Sequence, residues 1–201
     1  MQVFHAHIGQ MLQGDFELKE INVAFVFQVN CPGCFMYGIP VMNELVEKYG
    51  EKIGFIGIST CFEDFDKNTS ENTLKLLQQK EMVGETKKYF ASNGVYNYPH
   101  PVNFSVAFDE IMTPKAYLTK ENIELICKSN PNYDIWPEWE KKALQEKVIH
   151  YYTSFEFFGK TFTLNQLQGT PSFVVFDNNK EMKKSLFGYQ SSEVISQIID
   201  A

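Results

Sequence analysis

The chain contains no arginine: all 18 of its basic residues are lysine, set against 25 acidic residues for a net charge of −7. That balance argues against a nucleic-acid-binding surface, which needs a basic patch. Cysteine is scarce. The four cysteines, Cys31, Cys34, Cys61 and Cys127, are too few at this length to staple a secreted disulfide scaffold. Long apolar runs are missing as well. The run from Ile21 to Val29 is too short to span a bilayer, so no membrane span is expected. The opening "MQVFHAHIGQMLQGDFELKE" lacks a basic segment followed by an apolar one, so no signal peptide is expected and a cytoplasmic location is the expectation. There are no internal repeats and no low-complexity tracts.

What is present is apolar and aromatic. With 44% hydrophobic residues, the 201-residue chain can bury a real core, and its length suits one domain or one domain with a large insertion. The 18 Phe and 10 Tyr imply either dense core packing or an apolar groove.

Ile21–Val29 is nearly continuous in apolar residues, as expected of a strand covered on both faces. Phe35–Gly50 has apolar residues at helical spacing (Val41, Met42, Leu45, Val46, Tyr49), with Gly50 as a C-cap. Pro40, inside this stretch, should kink or restart the helix. Lys52–Ser59 is a second buried strand. Strand, helix, strand predicts a right-handed parallel unit, with Cys31 and Cys61 at the same sheet edge. Thr69 or Ser70 should cap a helix through "ENTLKLLQQKEM", and "VGETKKYFASNG" is a second helix. Pro101–Glu110 alternates as a strand through Val102, Phe104, Val106 and Phe108. Residues 113–155 turn helical, with Trp136, Trp139, Leu144, Val148, Tyr151, Tyr152 and Phe155 as one wide apolar face. Pro171–Asp177 is a strand, Asp177–Lys180 a hairpin turn and Met182–Gly188 the returning strand. A final helix is capped by Ser191 or Ser192.

Cys31 and Cys34 stand where the first strand gives way to a helix. A redox dithiol, half of a metal site, and two inert core residues are the three readings. At a helix N-terminus, unpaired N–H groups and the helix dipole favour a thiolate at Cys31, while Cys34, one turn further in, is more buried and able to resolve a mixed disulfide. Pro32 removes one donor near the sulfurs, and Gly33 permits a tight turn. A zinc site would need two further ligands, and positions 31, 34, 61 and 127 offer no second close pair.

Strand, "CPGC", proline-containing helix, distant "GTPSFVVFD", hairpin, Gly188 and final helix together resemble the thioredoxin-fold superfamily. Within it the chain is most similar to thiol–disulfide oxidoreductases related to TlpA and the peroxiredoxins, on "IGFIGIST…EDFDKNTSEN" followed by "PVNFSVAFDE". The resemblance covers about 15–110 and 156–201. It implies an α/β fold, a thioredoxin-like central mixed sheet flanked by helices, as a single domain over 1–201 with a helical insertion at 111–155. It also implies a thiol–disulfide oxidoreductase that exchanges disulfides with a protein or small-thiol partner and needs no cofactor or metal. Cys31 would attack and Cys34 resolve, across the active-site turn Pro32–Gly33. Thr170–Pro171 would be a cis peptide bond that binds an extended substrate segment. The alternative is a binding or metal-holding module of the same fold without redox turnover.

The chain departs from the family pattern at several points. Asn30 replaces the usual Trp before the first cysteine. Ala24–Phe27 carries no buried acid, which leaves Glu63 and Asp64 as candidates for proton handling. Pro40 comes one residue later than the pattern. Gln28 stands where a peroxidase has Thr, and without arginine to stabilise its thiolate, peroxidase chemistry of that type is excluded. Outside the pair, Cys61 is expected to be a buried filler rather than a third redox or metal-binding group, and Cys127 structural. His5 and His7 form at most a weak metal clasp. His100 and His150 are surface or packing residues, and the Trp136–Tyr152 aromatics are expected to form the core stripe of the insertion.

Overall fold

The computed structural model describes residues 2–201. Its centre is a six-stranded mixed sheet of β1 (Ile8–Gln13), β2 (Ile21–Phe27), β3 (Gly54–Ser59), β4 (Ser105–Asp109), β7 (Ser172–Asp177) and β8 (Met182–Phe187), in the order β1-β4-β3-β2-β7-β8. β2, β3 and β4 run parallel, and β1, β7 and β8 pair antiparallel with their neighbours. The helices around it are α1 (Ile39–Tyr49), α2 (Ser70–Gln79), α3 (Gly84–Ser92) and α8 (Ser192–Ile199). A short two-stranded ribbon, β5 (Ile111–Met112) with β6 (Phe158–Gly159), brackets α4 (Pro114–Tyr117), α5 (Lys120–Cys127) and α6 (Glu138–Thr153), and α7 (Lys160–Leu164) follows it.

The apolar runs form the central strands because both sheet faces are covered. Val23, Phe25 and Phe27 point into one core with Phe35, Met42, Leu45 and Ile195, while Ala24 and Val26 point into the other with Phe4, Ile56 and Phe176. Thr69 and Ser191 are the helix caps, accepting hydrogen bonds from the Asn72 and Val194 amides.

Pro40 lies in the first turn of α1, where its missing N–H costs little. The one-residue displacement of this proline is taken up just upstream: Cys34–Gly38 forms a π-helical turn, which holds one more residue than an α-turn. Gly38 is required there. A Cβ at this position would fall on the Phe25 ring and sit 3.4 Å from Pro171 Cβ.

Two expectations are corrected, and one strand is added. The strand predicted over 101–110 starts only at Ser105, and Val106–Asp109 are all buried because β4 lies between β1 and β3 with both faces covered. β1 was not anticipated, since "IGQMLQ" is largely exposed at the sheet edge and carries little apolar signal. The wide aromatic face of the insertion is not a core stripe. α6 has no buried residue, and Trp139 and Tyr151 are 70% and 58% exposed. The core here is Tyr117, Ile126, Phe158 and Leu164, against which only Val148, Tyr152 and Phe155 of that stripe pack. A helix covered along one narrow side buries only the positions facing that side, whatever the spacing of its other aromatics. No helix among the described residues is long and apolar enough to cross a membrane.

Two substitutions test this packing. Gly38→Ala should lower unfolding free energy by about 1–3 kcal/mol in urea melts, because the methyl overpacks against Phe25. Trp139→Ser should change it by no more than about 0.5 kcal/mol, as for other exposed side chains.

Candidate active site

β2 ends at Phe27, Gln28–Asn30 continue past the sheet edge, and the helical backbone begins at Pro32. Cys31 therefore sits at the mouth of a helix and is half-buried, whereas Cys34, one turn in, is fully buried. Both are thiols in this structure. The Cys34 amide donates to Cys31 Sγ at 3.2 Å, and Cys31 Sγ lies 3.5 Å from the Thr170 carbonyl oxygen.

Thr170 reaches the pair because β2 and β7 are hydrogen-bonded neighbours, with Val26 opposite Ser172. The Thr170–Pro171 peptide bond is cis. A Cβ at Gly33 would make an ordinary 3.7 Å contact with Pro171 Cδ, so the proline ring packs directly against the Cys31–Cys34 turn. The predicted site residues Cys31, Pro32, Gly33, Cys34, Thr170 and Pro171 are thus brought to one place.

The two thiols are driven apart electrostatically. Cys31 is lowered to about 7, chiefly by hydrogen bonding from the Cys34 side chain. Burial opposes this, and Thr170 and the Cys34 and Gly33 backbone assist. Cys34 is raised well above the ordinary thiol value by burial, with the Cys31 hydrogen bond and charge adding to it. None of the groups acting on Cys34 is a carboxylate. Neither candidate acid does this work: the Asp64 carboxylate accepts from Asn30 Nδ2 at 2.8 Å, and the Glu63 side chain is exposed.

Sequence reasoning missed the residues that brace the site. The Asn30 amide donates to Asn68 Oδ1 at 2.9 Å, and its side-chain oxygen accepts from the Glu85 amide at 2.6 Å. Gln28, fully buried, joins Thr170 Oγ1 to the Glu63 carbonyl at 3.2 and 3.4 Å, and Asn68 Nδ2 donates to that same carbonyl at 2.9 Å. The available signal was the switch from an apolar run to Gln28 and Asn30 just before the cysteines. Buried amides of this kind need partners, and here they find them.

The remaining candidates lie apart from this chemistry. Cys61 is buried and pushed up to about 12 by desolvation and by the nearby Asp109 charge. Cys127 is buried at the end of α5. The His5 and His7 rings stack 6.4 Å apart, and among the described residues no three His, Cys, Asp or Glu side chains gather as a metal site. His100 packs on Tyr98, and His150 is exposed. A cleft of about 1020 Å³, lined by His5, Lys128, Asn165, Gln168, Ser172 and Phe187 among others, includes neither Cys31 nor Cys34.

No protein-family model matches the chain. No curated protein matches it either. Among solved structures, a thiol-disulfide isomerase from Corynebacterium glutamicum superposes with a TM-score of 0.58 at 17% identity, covering 99% of this chain and 94% of the other. A thioredoxin-like superfamily protein superposes with a TM-score of 0.56 at 18% identity, covering 97% and 91%. With the strand order and the site geometry, these likenesses establish that the chain has the thioredoxin fold.

The thiol asymmetry has a direct readout. Iodoacetamide should modify Cys31 with a rate that rises through a pH near 7, because only the thiolate reacts and protonation below that value removes it. Cys34 should stay unmodified over the same range.

Proposed function

We propose that the protein is a thiol–disulfide oxidoreductase acting through the Cys31/Cys34 dithiol. One observation carries the reading: a half-exposed Cys31 thiol lowered to about 7 stands over a buried Cys34 whose proton is held tightly. A nucleophile that is thiolate near neutral pH, with its resolving thiol beneath it, is the arrangement that disulfide exchange needs.

In the reducing direction, the Cys31 thiolate attacks one sulfur of a partner disulfide and displaces the other as a thiolate. Cys34 then loses its proton and attacks Cys31 Sγ. This breaks the mixed disulfide, releases the second partner thiol and leaves a Cys31–Cys34 disulfide. Two electrons have passed to the partner, and a donor dithiol, or two donor thiols in turn, returns them by the same steps in reverse. The reaction needs no bound cofactor or metal.

Pro32 and Gly33 keep the turn short and uncluttered over the sulfurs. Thr170 and Pro171 provide the wall along which an extended, disulfide-bearing segment lies. Cys31 is half-exposed, which leaves its sulfur within reach of a protein partner or a small thiol. Four cysteines are too few for a disulfide-stapled secreted scaffold of this length, so a cytoplasmic setting belongs to the proposal.

Equilibration in graded glutathione buffers, followed by acid quenching, alkylation of the denatured protein and mapping by mass, should show one two-electron transition confined to Cys31 and Cys34. Cys34→Ser should trap a mixed disulfide on Cys31, and Cys31→Ser should abolish exchange. Complete alkylation of both thiols at every poise would overturn the proposal and favour a binding module of the same fold.

A further inference from the structure

The loop from Phe62 to Asn68 touches both halves of the site. It holds Asn30, next to Cys31, through Asp64 Oδ2 and Asn68 Oδ1, and it holds Gln28, and through it Thr170, by the Glu63 carbonyl. Gly84 allows α3 to close on the same Asn30, since any Cβ there would fall on Asn30 Oδ1. The Glu85 amide completes the set.

The loop is itself clamped from outside by aromatic rings. Phe62 stacks on Phe162 at 3.9 Å, and Phe65 packs against Phe155 and Phe157 at 5.9 and 5.0 Å between ring centroids. Phe155 is the last residue of the helical segment, Phe157 lies in the stretch that leads from it to β6, and Phe162 belongs to α7. α7 is fastened to the sheet in turn, because the Asp109 carboxylate accepts from the Thr161 and Phe162 amides at 2.8 and 3.2 Å and from Thr60 Oγ1 at 2.7 Å.

We infer that Asn30 is a positioning residue for Cys31, and that the helical segment acts on the dithiol through it, by way of the Phe65 and Phe62 clamp and the 62–68 loop. The inference rests on the proposed reading of Cys31 as the attacking thiol. Its physical basis is that thiolate stabilisation depends on short, fixed donor contacts, from the Cys34 side chain first and from the Cys34 amide at 3.2 Å. With Asn30 untied, the turn samples longer distances and the thiolate loses those contacts. Asn30 touches no reacting atom itself. Phe65 is the informative handle because replacing it changes no charge near Cys31, whereas Glu63, Asp64 and Glu85 remain in place.

The test is the pH profile of Cys31 alkylation in Phe65→Ala, in the milder Phe65→Leu and in Asn30→Ala. Phe4→Leu, a fully buried change in the core on the opposite sheet face, serves as a control for loss of stability alone. Cys31 should titrate about half a pH unit higher in Phe65→Ala, roughly a threefold loss of thiolate below the transition, and higher still in Asn30→Ala. Phe65→Leu should fall between wild type and Phe65→Ala, and Phe4→Leu should leave the profile in place. An unmoved profile in Asn30→Ala would overturn the positioning role. An unmoved profile in both Phe65 variants, with Asn30→Ala shifted, would overturn the link to the helical segment. A shift in Phe4→Leu equal to that in Phe65→Ala would overturn the inference too, by making the effect one of general softening. Wild-type Cys31 titrating as an ordinary thiol would instead remove the reading of the site, and the brace with it.

Discussion

The antiparallel pairing of β2 with β7 is the constraint on which the site depends. It joins the strand that delivers Cys31 to the strand that follows Pro171, segments far apart in the chain, and it sets Val26 against Ser172. From that register the Thr170 carbonyl meets Cys31 Sγ at 3.5 Å, and the Pro171 ring lies on the Cys31–Cys34 turn. The Phe25–Phe173 ring contact on one face and the Ala24 and Val174 packing on the other make the pairing hard to shift. A slip of one residue would exchange the two faces and move Thr170 off the sulfurs.

Around this apolar scaffold the protein uses a few buried polar groups as fasteners. Asp109 is the costliest. Burial pushes it up to about 6, and three hydrogen bonds hold it there against that penalty. It fastens α7 to the end of β4. Asn30 and Gln28 fasten the loop before the cysteines to the loop after β3. The two sets are joined by aromatic stacking and by hydrogen bonds, the Gly159 amide to the Cys61 carbonyl at 2.7 Å and Thr60 Oγ1 to Asp109 at 2.7 Å, contacts that depend on shape.

Much of the sheet was legible because its central strands are buried on both faces. Ile21–Val29, Lys52–Ser59 and Pro171–Asp177 are apolar through their centres, and the strand–helix–strand order around "CPGC" leaves few topologies. The edge strand β1 was not legible: half of its side chains face solvent, and what holds it is pairing with β4, which leaves no composition signal. The aromatic spacing of Trp139, Tyr151 and Tyr152 correctly suggested a helix, with Trp136 left in extended backbone just before it, but misjudged burial, since burial depends on which neighbours a helix meets. Asn30 read only as a departure from the family pattern. Its role as an anchor becomes visible once Asp64, Asn68 and Glu85 stand around it.

The sequence by itself determined the chemistry available: two cysteines a turn apart at a strand-to-helix junction, a later Thr170–Pro171, and no arginine for a peroxidase-type site. These are properties of residue type and local spacing, and local backbone preference is enough to express them. Tertiary structure alone decided how far apart in acidity the two thiols stand, what holds Cys31 in place and which acids stay out of reach. Those depend on desolvation and on hydrogen bonds between residues such as Asn30 and Asn68 or Gln28 and Thr170, which become neighbours only when the chain is folded.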